Sequence, residues 1–307
     1  MQRFTNILYS PSSWTDDPEA LARVARLAEQ NDAQLTLLGV VGEPTRIQRL
    51  LGHADSLDQA EVANQQALFD KLQHWTAQTV QTEIEIEVAV EVGKPALAII
   101  QRVLSQGHDL VVVNDAGDPM SPLVKRLLRK CPCPVWVIKP TRRQTPSVLA
   151  AVNPHPGEAE LNRTILELAA SLVDRYGGDL HVAHAWSLYS EDLEERGFNF
   201  TPAITAEALR DETHAASQQA LDELIASGSY ADAPWRVHLI EGPAEHILPE
   251  LVREHGVDLL VMGTIARSGY KGIVIGNTAE RVLDEVRCSV MAVKPAGFVS
   301  PIAVSSI

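Results

Sequence analysis

The sequence predicts an α/β protein of two tandem doubly wound (Rossmann-like) domains, each a parallel sheet with helices on both faces. Three observations carry that expectation. A chain of 307 residues, 45 % hydrophobic and 21 % charged, is long enough for two domains and apolar enough to bury a core in each. The chain is also written twice: Gly93, Gly107 and Asp109 recur as Gly242, Gly256 and Asp258, each 149 residues later. Within each copy short apolar runs alternate with amphipathic stretches, the βαβ pattern of a parallel sheet covered on both sides.

In the first copy Asn6–Ser10, Gln34–Val41, Glu83–Val92, Leu110–Asn114 and Val135–Ile138 are the apolar runs of five strands. Asp17-Pro18 starts a helix, because proline suits the first helical position. Leu21, Val24, Ala25 and Ala28 then repeat at i, i+3, i+4 and i+7 as one buried face, and Leu68, Leu72 and Trp75 make a similar stripe on the next helix. In Glu83-Ile84-Glu85-Ile86-Glu87-Val88 the glutamates share one face, which places this strand at a sheet edge, where charge deters aggregation. Gly93-Lys94-Pro95 opens the helix that leads to Gly107-His108-Asp109 and the fourth strand.

The second copy repeats the order. Ser147–Val152 matches the opening strand, and Ile165, Leu168, Ala169 and Leu172 form the face of the first helix. His181 and His184 flank the second strand; in the third, Trp235, Val237 and Leu239 alternate with Arg236, His238 and Ile240. Gly242-Pro243-Ala244 precedes the next helix, Leu259–Met262 is the fourth strand and Val290–Val293 the last. The polar, proline-flanked stretch from Lys139 to Pro146 has linker composition, which sets domains at 1–143 and 144–297 and a tail at 298–307 without periodic pattern.

With 26 Lys+Arg against 40 Asp+Glu the formal charge is −14, and an acidic surface repels phosphate backbones, so no direct nucleic-acid binding is expected. No run reaches the ~18 apolar residues of a membrane span, and the opening residues lack a signal-peptide core, so no membrane association and a cytoplasmic location are expected. Cys131, Cys133 and Cys288 form no CxxC and fit a reducing compartment, as small apolar residues entering strands.

After its fourth strand the second copy runs from Gly263 through Thr264, Ala266, Arg267, Ser268, Gly269 and Lys271 to Gly276-Asn277-Thr278, which opens a helix. Glycines let such a loop present backbone N–H groups, and a helix start attracts anions through its unpaired N–H groups and dipole. In parallel sheets this loop lies at the carboxyl ends of the strands, where ligands bind. The first copy's counterpart is six residues shorter and carries Asp115 and Asp118 where phosphate would sit. Two carboxylates repel an anion, so the first domain is expected to hold no nucleotide.

On these residues the chain resembles a tandem universal stress protein of the UspA superfamily, of the UspE type, across residues 1–295. In nucleotide-binding members the loop reads Gly, two residues, Gly, nine residues, Gly, then Ser or Thr. Gly263 and Gly276 match the outer glycines, Ala266 stands at the middle one, and Asn277 at the hydroxyl position, with Thr278 one place later. The family's ribose-binding aspartate corresponds to Asn153, and to Ser12 in the first copy; its adenine-contacting backbone corresponds to Ala185-Trp186. Arg267 and Lys271 would offset phosphate charge.

The resemblance implies a five-stranded sheet of order 3-2-1-4-5 in each domain. It also implies a non-enzymatic stress-response or resilience factor with no obligatory cofactor and a small-ligand site in domain 2. The alternative it suggests is a switch binding ATP with magnesium there. It further implies that the last strand of each domain pairs with the other's as an intra-chain pseudo-dimer, with a homodimer as the further assembly.

A third reading is an apolar-ligand or partner scaffold using the Ser187–Ile204 insert over Trp186. No Gly-x-Ser-x-Gly elbow supports hydrolase chemistry. Adjacent strands bring His181 or His184 near His238, with His246 in the next helix, and two or three imidazoles can hold zinc or copper, although no compact ligand motif accompanies them.

Overall fold

The computed structural model describes residues 3–11, 18–43, 54–80, 84–115, 117, 120–140, 145–188, 206–264 and 276–303. The chain divides into two compact units: Met1–Pro140 together with Phe298–Ile307, and Thr141–Gly297. The tail is therefore part of the first unit; Ser300 donates its hydroxyl to the Lys130 carbonyl at 2.7 Å. Among the described residues no helix is long and apolar enough to cross a membrane.

Unit 1 runs β1 (Asn6–Tyr9), α1 (Pro18–Asn31), β2 (Gln34–Val41), α2 (Ala54–Thr79), β3 (Ile86–Val92), α3 (Pro95–Gln106), β4 (Leu110–Asn114), α4 (Pro122–Lys130) and β5 (Val135–Ile138). Its strands are parallel, in the order β3-β2-β1-β4-β5. Leu21, Val24, Ala25 and Ala28 of α1 are all buried on the sheet. On α2, Leu72 is buried and Leu68 half-buried, both close to Gly39 of β2, while the half-buried Trp75 lies beside the Tyr9 ring. A Cβ at Gly39 would stand 2.8 Å from the Leu68 side chain, so helix and strand approach closely there.

The glutamate-bearing strand lies at the sheet edge but begins at Ile86, later than the alternation suggests. Its first partner is Leu35, one residue into β2, whose own ladder with β1 starts only at Gln34. Glu87 is exposed and pairs with Arg102 of α3. Glu83 lies outside the described residues.

Unit 2 repeats the plan: β6 (Ser147–Ala151), a 3₁₀ turn (Pro156–Glu158), α5 (Ala159–Tyr176), β7 (Asp179–Trp186), α6 (Ala206–Ala226), β8 (Trp235–Glu241), α7 (Ala244–Glu254), β9 (Leu259–Gly263), α8 (Asn277–Glu285) and β10 (Ser289–Val293). Its parallel strands are ordered β8-β7-β6-β9-β10. Ile165, Leu168, Ala169 and Leu172 bury the inner face of α5.

The repeated residues have physical causes. Gly93 and Gly242 leave the third strand of each unit at φ +149° and +137°, and Gly107 and Gly256 follow the next helix at +70° and +56°, conformations that side chains resist. The repeated aspartate latches the sheet. Asp109 accepts hydrogen bonds from the Thr5 and Asn6 N–H groups at 2.7 and 3.1 Å and from the Thr5 hydroxyl at 2.8 Å, tying the entry of β1 to that of β4. Asp258 accepts from the Ser147 N–H at 2.9 Å, tying β6 to β9. Charge-assisted bonds of this kind contribute more than neutral ones. Asp109→Ala is therefore expected to cost unit 1 about 2–3 kcal/mol, read as a lower urea midpoint at unchanged slope.

The three cysteines are buried free thiols, with the Cys131 and Cys133 sulfurs 3.6 Å apart. The hydrogen bond with Cys131, then burial, raises the Cys133 thiol well above its ordinary range, which keeps it protonated and unreactive.

Candidate functional site: a cavity and a histidine cluster in the second unit

In each unit the chain reverses winding direction beside the first strand, and in unit 2 that point lies between β6 and β9. Here a cavity of about 730 Å³ opens at the carboxyl ends of the strands. Asn153, Ala185, Trp186 and Gly263 line it, and so do Gly276, Asn277 and Thr278. Seven positions singled out in the sequence thus share one space. Ala266, Arg267, Ser268, Gly269 and Lys271 lie outside the described residues, as does most of the Ser187–Ile204 insert.

The turn after β6 is held by a residue that the loop pattern does not flag. Asn162, on the buried face of α5, accepts from the Asn153 N–H at 3.1 Å and donates to the Asn153 carbonyl. A buried mid-helix asparagine three positions from the apolar stripe at Ile165 was the available sequence signal. Trp186 ends β7. Its carbonyl accepts from the Gly242 N–H at 2.8 Å, and its ring is 6 % exposed and edge-on to His214 at 5.5 Å. The indole Nε1 is buried against the cavity wall without a hydrogen-bond partner, an orphan donor.

Beyond Gly263 the fully buried Thr264 accepts at its hydroxyl from Lys294 Nζ at 2.7 Å, and its carbonyl receives the Gly276 N–H at 3.2 Å. Gly276 is the N-cap of α8 and has no side chain with which to cap it. The first N–H groups of a helix have no partner within it, and in α8 the residues that carry them, Asn277, Thr278 and Ala279, line the cavity. Leu161, Ile165, Leu248 and Met262 supply apolar walls, and Glu158, Glu212 and Glu245 are the acidic groups. Arg281 pairs with Glu245 at 2.9 Å, which offsets part of that charge.

At the equivalent helix start of unit 1 the chain's own side chains bond the backbone N–H groups. Asp115, 4 % exposed, accepts from the Gly117 N–H at 2.9 Å and from the Ser121 N–H at 2.7 Å, and Ser121 caps α4 by accepting from the Val124 N–H. A carboxylate already occupies the anion position. Asp118 lies outside the described residues.

The candidate histidines separate. Successive side chains of a strand face opposite ways, so His184 lines the cavity while His181 points to the other face of β7. The grouping of His184 with His238 is corrected accordingly. His181 pairs in register with Arg236 and Ala183 with His238, which sets His181 and His238 diagonally on one face. His181 Nδ1 and His238 Nε2 are 2.9 Å apart. The third member is His255, the C-cap of α7, its ring centroid 4.9 Å from that of His181 and 4.7 Å from that of His238. His246 is exposed and not part of the cluster. Burial, then the neighbouring His238 and His255, push the His181 pKa down to about 4, and burial also lowers that of His238.

Fold and cavity define a class: tandem parallel α/β units with a crevice at the switch point of the second. The chain belongs to the universal stress protein family, whose model matches residues 13–139 and again 148–294. Universal stress protein E of Photorhabdus laumondii is 28 % identical over 98 % of both chains, and that of Escherichia coli K12 is 29 % identical over 71 % of each. Among solved structures, a functionally unknown protein from Pseudomonas aeruginosa PAO1 is 26 % identical with a TM-score of 0.67, covering 96 % of this chain and 94 % of the other. With the family model matched twice along its length, the chain is a tandem member of that family, similar to the E-type relatives.

Proposed function

We propose that the protein is a non-enzymatic stress-response factor whose second unit holds a nucleotide, ATP with magnesium being the probe of choice, while the first unit holds none. Family membership supports the stress-response role. The observation that carries the ligand assignment is the opposite condition of two equivalent helix starts. In unit 1 Asp115 and Ser121 fill the start of α4, whereas in unit 2 Gly276 leaves the start of α8 facing a 730 Å³ cavity. Phosphate oxygens suit the N–H groups of α8, and a base suits the apolar walls and the unpaired Trp186 Nε1. The three cavity glutamates oppose a bare triphosphate, so magnesium, which neutralises part of its charge, strengthens binding.

Calorimetric titration of the full chain with ATP and magnesium tests this. Binding of one nucleotide per chain in the micromolar range is expected; no heat and no thermal shift at millimolar ATP would overturn it.

A further inference from the structure

We propose that His181, His238 and His255 form a zinc-class metal site in unit 2, on the face of the sheet covered by α7. Three strands of argument meet there. The first is geometry: one ring nitrogen from each histidine lies within 4.8 Å of the others. Zinc–nitrogen bonds of about 2.0–2.1 Å in tetrahedral arrangement place ligand nitrogens roughly 3.3 Å apart. Side-chain rotation alone closes the difference, because His181 and His238 sit on paired strands and His255 on the helix packed over β7.

The second is an unmet bonding requirement. His181 is 1 % exposed and its Nε2 has no hydrogen-bond partner. Buried ring nitrogens are ordinarily paired. A cluster built only for packing would favour apolar residues here; instead His181 and His238 stack, His255 is tilted against both, and the three rings bring their nitrogens together. A cation that accepts one lone pair from each ring gives the three imidazoles a shared partner. His238 and His255 are half-buried, which leaves a route for the ion and room for a fourth ligand such as water.

The third is the surrounding charge. His255 caps the C-terminal end of α7, donating its N–H to the Leu251 carbonyl at 3.0 Å, and helix C-termini favour cations. Glu254 faces His238 from the same end and Asp179 faces His181 from β7; Arg236, the nearest cation, is engaged with Asp179 at 2.7 Å. Imidazole ligands suit zinc, copper and nickel, and an all-nitrogen set selects against calcium and magnesium. This site is separate from the nucleotide cavity, since His181 faces away from it.

The test uses tag-free full-length protein stripped with a chelator, with zinc titrated calorimetrically and cobalt(II) as an optical reporter. One zinc per chain is expected, with a visible cobalt spectrum of four-coordinate intensity that zinc abolishes. His255→Gln and His238→Gln are expected to weaken zinc binding at least tenfold and remove that spectrum. His184→Gln and His246→Gln leave both intact. Because His238 and His255 are half-buried, their variants are checked for unchanged circular dichroism. Absence of zinc binding at about a hundred micromolar free metal would overturn the proposal. So would a site that survives His255→Gln, or zinc bound equally well by an unfolded variant.

Discussion

Gly178→Ala is expected to destabilise unit 2 by about 3–5 kcal/mol, enough to remove most of the stability of an ordinary domain. Gly178 lies between α5 and β7 at φ +114°, a conformation side chains rarely adopt. A Cβ there would stand 2.0 Å from the Pro146 carbonyl oxygen and 3.0 Å from its carbon, both backbone atoms at the entry to β6. Neither can swing aside as a side-chain tip would. The chain must open the turn, and β7 then loses its register with β6, where Asp179 pairs with Ser147. Gly177→Ala is the internal control. Its φ is +71° with ψ −175°, a region essentially confined to glycine, but the nearest atom is Thr145 Cγ2 at 3.9 Å, so only backbone strain, about 1–3 kcal/mol, applies. Urea unfolding of the two variants separates the contributions; equal losses would show that the close approach to Pro146 is absent.

Gly276→Asp is expected to move stability and affinity in opposite directions. At φ −58° and ψ 141° the N-cap of α8 accepts an aspartate without strain. A carboxylate there bonds the open N–H groups of the first turn, which adds a few tenths of a kcal/mol relative to glycine. It also installs in unit 2 what Asp115 provides in unit 1, a resident anion where phosphate would bind. Direct competition and charge repulsion are expected to lower affinity for ATP with magnesium at least thirtyfold, about 2 kcal/mol. Gly276→Asn caps without charge and should retain the stability gain with a smaller loss of affinity. A thermal midpoint that rises while binding vanishes is not produced by general unfolding, and unchanged affinity in Gly276→Asp would show that the ligand does not reach α8.

Much of the fold was legible because its causes are local. Four repeated glycines mark backbone positions at positive φ, Asp109 and Asp258 mark two strand entries, and the stripe on α1 needs only the helical period. The start of β3 was not, because it depends on where β2 presents a partner, which no run of alternating residues reveals. The docking of the tail includes a hydroxyl at Ser300 meeting a carbonyl 170 residues away, which no local pattern reveals. In the site, the loop register pointed to Gly263, Gly276 and Asn277, and the acidic replacement at Asp115 could be read directly from its side chain. Asn162 and His255 were missed for the same reason: each acts across the fold, from a helix onto a strand turn or a sheet face. Strand alternation did carry enough information to separate His181 from His184, since neighbours in a strand face opposite ways.

The most direct test of the asymmetry between the two units is an NMR titration of the isotopically labelled full chain with ATP and magnesium, following backbone amides at the two helix starts. Saturable shifts are expected at Asn277, Thr278 and Ala279 of α8, with no change at Leu123, Val124 and Lys125 of α4. Shifts at α4, or none at α8 at saturating nucleotide, would contradict that asymmetry.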